Sequence, residues 1–300
     1  MSGKNKKDRT TTILLVIIFL AGLSLLLYPT VSNWWNNRHQ VQVIESYTQS
    51  VKELNTEKYA ALRAGAEAYN RTLWNSENTH TRSDDLLLPY ESLLNVSGTG
   101  VMGYIEIPRI NCTLPIYHGT DEAVLQVAIG HLEWTSLPVG GENTHSVISG
   151  HRGLPSAELL THIDKLDIGD KFYIHVLDKV LEYRVDNIAV VEPDDTSLLY
   201  ITEGKDYMTL VTCTPYGINS HRLLVRGERV ENSNVTTGDP LYVNNEVRSV
   251  HLMYVIPVVL VLVVLAVGIL FWIEDKRKNV YHGKRMKRNG RRLQRGEEHE

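Results

Sequence analysis

The chain has 300 residues, of which 31 are basic and 35 acidic, with 43% apolar side chains and two cysteines. That apolar share can build a core without a disulfide framework. The chain carries no zinc-ligand spacing, no phosphate-binding loop and no serine nucleophile elbow, which sets aside three common enzyme classes and leaves no metal or cofactor to expect.

Residues 1–11 are basic, with Lys4, Lys6, Lys7 and Arg9. Residues 12–28 form an uncharged apolar run. It is at the short end of what spans a bilayer core of about 30 Å. No small-x-small cleavage site follows, and Trp34 and Trp35 have the character of interfacial anchors. The run is therefore expected to be an uncleaved signal-anchor. Residues 29–98 are assigned to a helical stalk and a possible lid region. Within them Val41, Ile44, Val51, Leu54, Leu62, Ala66, Tyr69 and Leu73 repeat mostly at three- and four-residue spacing. That period predicts a helix over 38–75. At the helical rise its length is roughly 55 Å. The polar stretch 75–85 predicts a loop.

From residue 99 to 231 the pattern turns to short strands. Candidates are 101–107, 113–118, 145–150, 171–177, 180–191, 207–212 and 221–230, with short helices over 121–128 and 155–163. Frequent strands separated by turn residues predict an all-β-dominated domain, closed as a barrel or stacked as a sandwich. Residues 232–251 form a polar linker, 252–273 a second apolar run long enough to span a membrane, and 274–300 a basic tail. Between 11 and 273 there remain 17 basic and 29 acidic residues, a net charge of −12. Basic flanks stay cytoplasmic, so both termini are expected inside and the acidic domain outside a cell membrane. Beside a membrane helix the basic tail suits anionic lipid, and no nucleic-acid partner is expected.

The chemistry concentrates in TLVTCTPYGINSHRLLVRG, residues 209–227. Cys213 ends an apolar strand, the turn residues Pro215, Gly217, Asn219 and Ser220 follow, and Arg222 opens the next strand. A hairpin places Cys213 and Arg222 together at the mouth of the sheet. A guanidinium there favours thiolate over thiol and can bind a carbonyl or a developing oxyanion. His151, in SVISGHRG, sits between Gly150 and Gly153 at a strand end. It suits the proton partner of a nucleophile. On spacing alone, a buried structural Cys and an ordinary loop His remain open.

TLVTC with an Arg nine residues beyond the Cys resembles the sortase signature, and ISGHRG resembles its histidine segment. GYIEIPRINCTLPIYHGT and GHLEWTSLPVGGENTHSVISGHRG resemble the opening of the sortase barrel. The resemblance covers about 101–230, and TCTPYGINSHRLLVRGER with the C-terminal apolar run is similar to class C, pilus-building sortases. It implies an eight-stranded β-barrel with short helices, an N-terminal helical region and two transmembrane helices. It also implies that Cys213 attacks the Thr–Gly bond of an LPxTG-like sorting signal, with His151 as acid/base and Arg222 as electrostatic partner. A lysine amine of a pilin subunit then resolves the thioacyl-enzyme. A housekeeping sortase acting on peptidoglycan, a hydrolase and a non-catalytic membrane adaptor for pilins are the competing readings.

By the resemblance, many class C enzymes carry an Asp-Pro-aromatic lid motif before the barrel, which covers the Cys. Here the nearest text is Leu88-Pro89-Tyr90, with Asp84 and Asp85 displaced. Pro89 and Tyr90 are the lid candidates; the alternative is that Tyr90 anchors its loop with Leu93 and Leu94. A lidless or loosely lidded enzyme is expected. Thr212, Thr214 and His131 are candidates for substrate contact, with His131 and His145 also read as structural. Cys112 is expected to be packing. Glu192, Asp194 and Asp195 lie in a connector that, by the resemblance, contacts the sorting signal; a solvated surface or a weak Ca²⁺ site are its plain alternatives.

Overall fold

The computed structural model describes residues 3–76 and 90–230, with Val259, Val263 and Gly268 as isolated helical positions beyond them. Pro89, the linker, the basic tail and most of the second apolar run lie outside the described residues. The chain divides into two compact units, 1–23 with 244–300, and 24–243.

Helix α1 spans Gly3–Lys52 and α2 spans Thr56–Asn75. The helix expected over 38–75 is therefore interrupted. Asn55 adopts extended backbone, and its side chain accepts the Lys58 N–H at 2.8 Å. It caps a new helix instead of continuing the old one. Neither helix is a free stalk. The Tyr47 hydroxyl donates to the Met102 carbonyl (2.9 Å) and accepts the Leu177 N–H (2.8 Å). On α2, the buried Asn70 amide donates to the Leu137 carbonyl (3.0 Å) and its oxygen accepts the Leu137 N–H (2.7 Å). Both helices thus complete backbone groups of the barrel as a strand neighbour would.

Eight strands follow: β1 Val101–Ile107, β2 Cys112–His118, β3 Ile129–His131, β4 Thr144–Ser149, β5 Lys171–Val176, β6 Lys179–Val191, β7 Asp206–Thr214 and β8 His221–Arg229. They close in the order β1-β2-β3-β4-β7-β8-β6-β5. The β2–β3 and β4–β7 pairs are parallel and the others antiparallel. Ile105, Ile107, Ile116, Ile148, Phe172, Ile174, Leu210 and Val225 fill the interior. β3 escapes sequence reading because so short a strand cannot show alternation.

Two helical expectations are corrected. Helix α3 is the single turn Glu122–Leu125, shorter than 121–128. Residues 155–163 form turns, with a 3-10 turn only at Ile163–Lys165. Leu159 there takes φ +40°, and the Leu160 N–H bonds the His151 carbonyl (3.2 Å). A positive φ is incompatible with a continuing right-handed helix.

Close approach of β3 to the loop after β2 fixes one glycine. A Cβ at Gly130 would lie 2.0 Å from the Gly119 carbonyl oxygen, which is backbone and cannot swing away. Gly130→Ala is expected to cost about 3 kcal/mol or more. That lowers the melting temperature by roughly 6–12 °C in a thermal scan.

Candidate active site

Strands β7 and β8 pair Cys213 with Arg222 directly across the ladder. Opposed residues on antiparallel strands project to the same face, so thiol and guanidinium are neighbours. On the other flank, β4 runs parallel to β7 with Ser149 level with Val211. Continuing that one-to-one register two residues onward brings His151 level with Cys213. Two further bonds hold the join: the Gly150 N–H donates to the Val211 carbonyl (3.1 Å), and the Thr212 hydroxyl donates to the Gly150 carbonyl (2.8 Å). The barrel thus pairs Cys213 with Arg222 and ties the loop that carries His151 to the same end of β7.

Cys213 is partly buried and free of any disulfide, and its thiol makes no hydrogen bond among the described residues. The Arg222 guanidinium touches only the carbonyls of His221 (3.2 Å) and Asn219 (3.4 Å), both in its own turn. No carboxylate neutralises it among the described residues, and most of its donor fork is unused. The His151 Nε2 is likewise without a hydrogen bond among the described residues, with the Glu122 carboxylate 3.9 Å away. A nucleophile, a proton acceptor and a cation, all uncommitted, are a set able to perform acyl transfer through a thioester. Cys112 differs. Its sulfur approaches the Leu159 carbonyl at 3.7 Å, and burial pushes its thiol up to about 12. It therefore stays protonated and inert.

The remaining candidates divide. Thr212 is buried and spends its hydroxyl on Gly150, so it positions the His151 loop and is not a substrate contact. Thr214 accepts from Arg152 (3.2 Å). His131 is fully buried, which corrects its reading as a substrate contact. Its two ring nitrogens face the Tyr90 hydroxyl (2.9 Å) and the Ser136 carbonyl (2.8 Å), and the Tyr90 oxygen accepts the Gly119 N–H (3.1 Å). Neutral His131 satisfies this chain by donating from Nε2 to Ser136 and accepting from Tyr90 at Nδ1. Tyr90 is itself buried, as a loop anchor would be.

Arg152 is a residue that sequence reasoning misses. Its side chain donates to the Asp164 carboxylate (2.6 Å), the Thr161 carbonyl (3.2 Å) and Thr214, tying the loop after β4 to the strand that carries Cys213. The SGHRG motif contains it, but its partners lie up to 62 residues away. Glu122 escapes for the same reason.

Burial lowers His131 and His145 to about 4 each, opposed by hydrogen bonds to the Ser136 and Tyr200 carbonyls. In the unfolded chain both titrate near the ordinary value of about 6.5. Between those values the unfolded chain binds more protons, so stability is full above about pH 6.5 and falls as pH drops towards 4. The expected slope is about 1.4 kcal/mol per pH unit for each histidine. Urea titrations at pH 7.5 and 5.5 should show the midpoint falling.

A sortase-domain family model matches residues 105–230. The chain is 49% identical to crystalline sortase C1 of Streptococcus agalactiae, covering 64% of this chain and 100% of that one with a TM-score of 0.62. It is 47% identical to sortase C of Clostridium perfringens, solved with the C-terminal cell wall sorting motif, covering 64% and 99% with a TM-score of 0.55. Sortase D of Bacillus subtilis is 32% identical over 131 residues, 43% of this chain and 63% of that protein. The chain spans about three fifths of the length of the first curated relatives it matches. With the barrel closed in this order and a free cysteine paired across the ladder with an arginine, the chain belongs to the sortase family, and its structural neighbours are class C sortases.

Proposed function

We propose that this chain is a membrane-anchored cysteine transpeptidase of the pilus-building class. The observation that supports the reading is the direct cross-strand pairing of Cys213 with Arg222, with the Gly150–His151 loop bonded to β7 at Val211 and Thr212. In the first half-reaction the Cys213 sulfur attacks the threonine carbonyl carbon of an LPxTG-like sorting signal. The Arg222 guanidinium stabilises the developing oxyanion. The Thr–Gly C–N bond breaks, His151 gives a proton to the departing glycine amine, and a thioester remains on Cys213. In the second, a lysine amine of a pilin subunit attacks that thioester and gives its proton to His151. The thiolate leaves as the isopeptide bond forms. The thioester conserves the energy of the cleaved amide, so no nucleotide is consumed.

Anchoring follows from α1, which is long and apolar enough to cross a membrane. With the second apolar run at 252–273 and the basic residues beyond each run, the chain is a two-pass protein with the barrel outside and both termini in the cytoplasm. The Clostridium perfringens neighbour solved with a sorting motif supports a peptide of that kind as donor.

Mass spectrometry of the protein mixed with an LPxTG-like peptide tests the reading. An acyl adduct on Cys213 that an added lysine peptide discharges into an amide product is expected. Discharge by a glycine amine in preference to lysine would instead indicate wall anchoring, and discharge by water alone a hydrolase. No adduct with any motif variant, despite an alkylatable Cys213, would leave the adaptor.

A further inference from the structure

The catalytic loops and the apolar helix are physically joined. Within the unit that begins at Ser24, α1 first carries Leu25, Leu26, Tyr28, Val31 and Trp35, all exposed. Leu25 and Leu26 are about three-quarters accessible (77% and 73%). Water-facing leucines on a packed helix rarely are. The same helix then turns polar and grips the barrel. The Asn33 oxygen accepts the Glu158 N–H (2.9 Å), the Asn36 amide donates to the Ser156 carbonyl (2.8 Å), and the buried Gln40 amide donates to the Val127 carbonyl (2.8 Å).

Those partners belong to the two loops that flank His151. Two residues beyond Glu158, the Leu160 N–H bonds the His151 carbonyl; the Gly153 N–H bonds the Thr161 hydroxyl (3.1 Å). Val127 ends the segment that opens with Glu122, whose carboxylate faces His151. The side of the barrel that α1 clasps is therefore the side that carries His151.

Chain length then limits how far this side can stand from lipid. Asn33 lies five residues along the chain from Tyr28, the last of the apolar run. As helix those five steps rise about 7.5 Å, and fully extended they reach no more than about 18 Å. Pro29 lies inside the helix. It removes one helical hydrogen bond and can bend the axis, but the covalent limit holds at any bend. Trp35 lies where an interfacial aromatic would sit, in a headgroup layer several ångströms deep.

We propose that the His151 side of the barrel mouth rests at the phospholipid headgroup layer, held there by Asn33, Asn36 and Gln40 on α1. This rests on the membrane-anchor reading above and is independent of the transpeptidase chemistry. The occupant of the exposed apolar face is a lipid bilayer, because that face continues without a break from the span-length apolar run. The consequence is a filter on acyl donors: a scissile bond must lie close to the membrane surface to reach Cys213.

The test uses the full chain in phosphatidylglycerol–phosphatidylcholine vesicles, in a C112A C213A background so that only the introduced cysteine takes the label. A bimane fluorophore is placed at A123C, exposed on α3, or at E203C, exposed beside the start of β7. Cys213 lies near the far end of β7, which runs Asp206–Thr214. At the rise of a strand, the start of β7 is about 23 Å from Cys213. Lipids bearing a nitroxide headgroup should quench position 123 several-fold more than position 203. Equal or reversed quenching overturns the proposal. Protection of position 123 from a water-soluble quencher without lipid quenching would mean a second copy covers this face, and also overturns it. Failure to associate with vesicles removes the anchor and the proposal with it. The acyl adduct on Cys213, measured separately with a soluble peptide, decides the chemistry in every case.

Discussion

Cys213→Ala gives a folded protein that forms no acyl adduct and whose transpeptidation falls at least ~10⁴-fold, to the level of the uncatalysed exchange. The size follows from covalent catalysis. Without sulfur there is no thioester, and the amine would have to attack an unactivated amide directly. Serine at this position fails as well, because its hydroxyl is far less acidic than a thiol and the single neighbouring imidazole must then remove a harder proton. The fold survives, since the side chain is only partly buried and its sulfur makes no hydrogen bond among the described residues. Its loss costs less than about 1 kcal/mol. Circular dichroism and melting temperature should match the parent while the adduct is absent from the mass spectrum. Turnover retained by the alanine variant would remove Cys213 from the chemistry altogether.

Arg222→Ala lowers kcat/KM by about 10²–10³, mostly in kcat, while Cys213 stays open to alkylation. The guanidinium belongs to the residue directly across from the nucleophile and, among the described residues, bonds only carbonyls of its own turn, which leaves N–H donors available to a carbonyl bound at Cys213. Charge that develops on the carbonyl oxygen in the transition state meets a donor already in place. Lysine restores a cation but not the planar fork, and recovers less than about tenfold. An effect confined to KM, with kcat unchanged, would make Arg222 a substrate-docking residue and not a transition-state one.

The site is legible in sequence to the extent that its parts are local. Cys213 and Arg222 sit on one hairpin, and turn residues between two apolar runs declare a hairpin to anyone reading the chain. His151 can be named only through the likeness of its flanking motif, because its place beside Cys213 is created by the parallel β4–β7 pair, which leaves no local trace. Arg152 and Glu122 stay hidden for the same reason. The barrel strands are mostly visible from alternation and punctuation. The break at Asn55 is not: the apolar period of Leu54 and Leu62 runs across it, and a single side-chain cap outweighs the period. Leu159 shows the converse, a good helix former held at positive φ by the bond from Leu160 to His151.

The parallel pairing of β4 with β7 has a consequence for the order in which the chain becomes dangerous. A thiol that acylates itself on any accessible peptide would be a hazard in a half-made protein. Here base and nucleophile stand far apart along the chain, and the Thr212–Gly150 bond beside them closes the same long loop. A parallel pair cannot form from a local hairpin. Such long-range pairings are intrinsically slow to form, because loop closure must precede any gain from contact. Cys213 and Arg222 can meet early, on their own hairpin, but His151 arrives only when β4 pairs with β7. Reactivity thus waits on that long-range pairing, and a chain that has not made it or has lost it lacks the base beside its nucleophile.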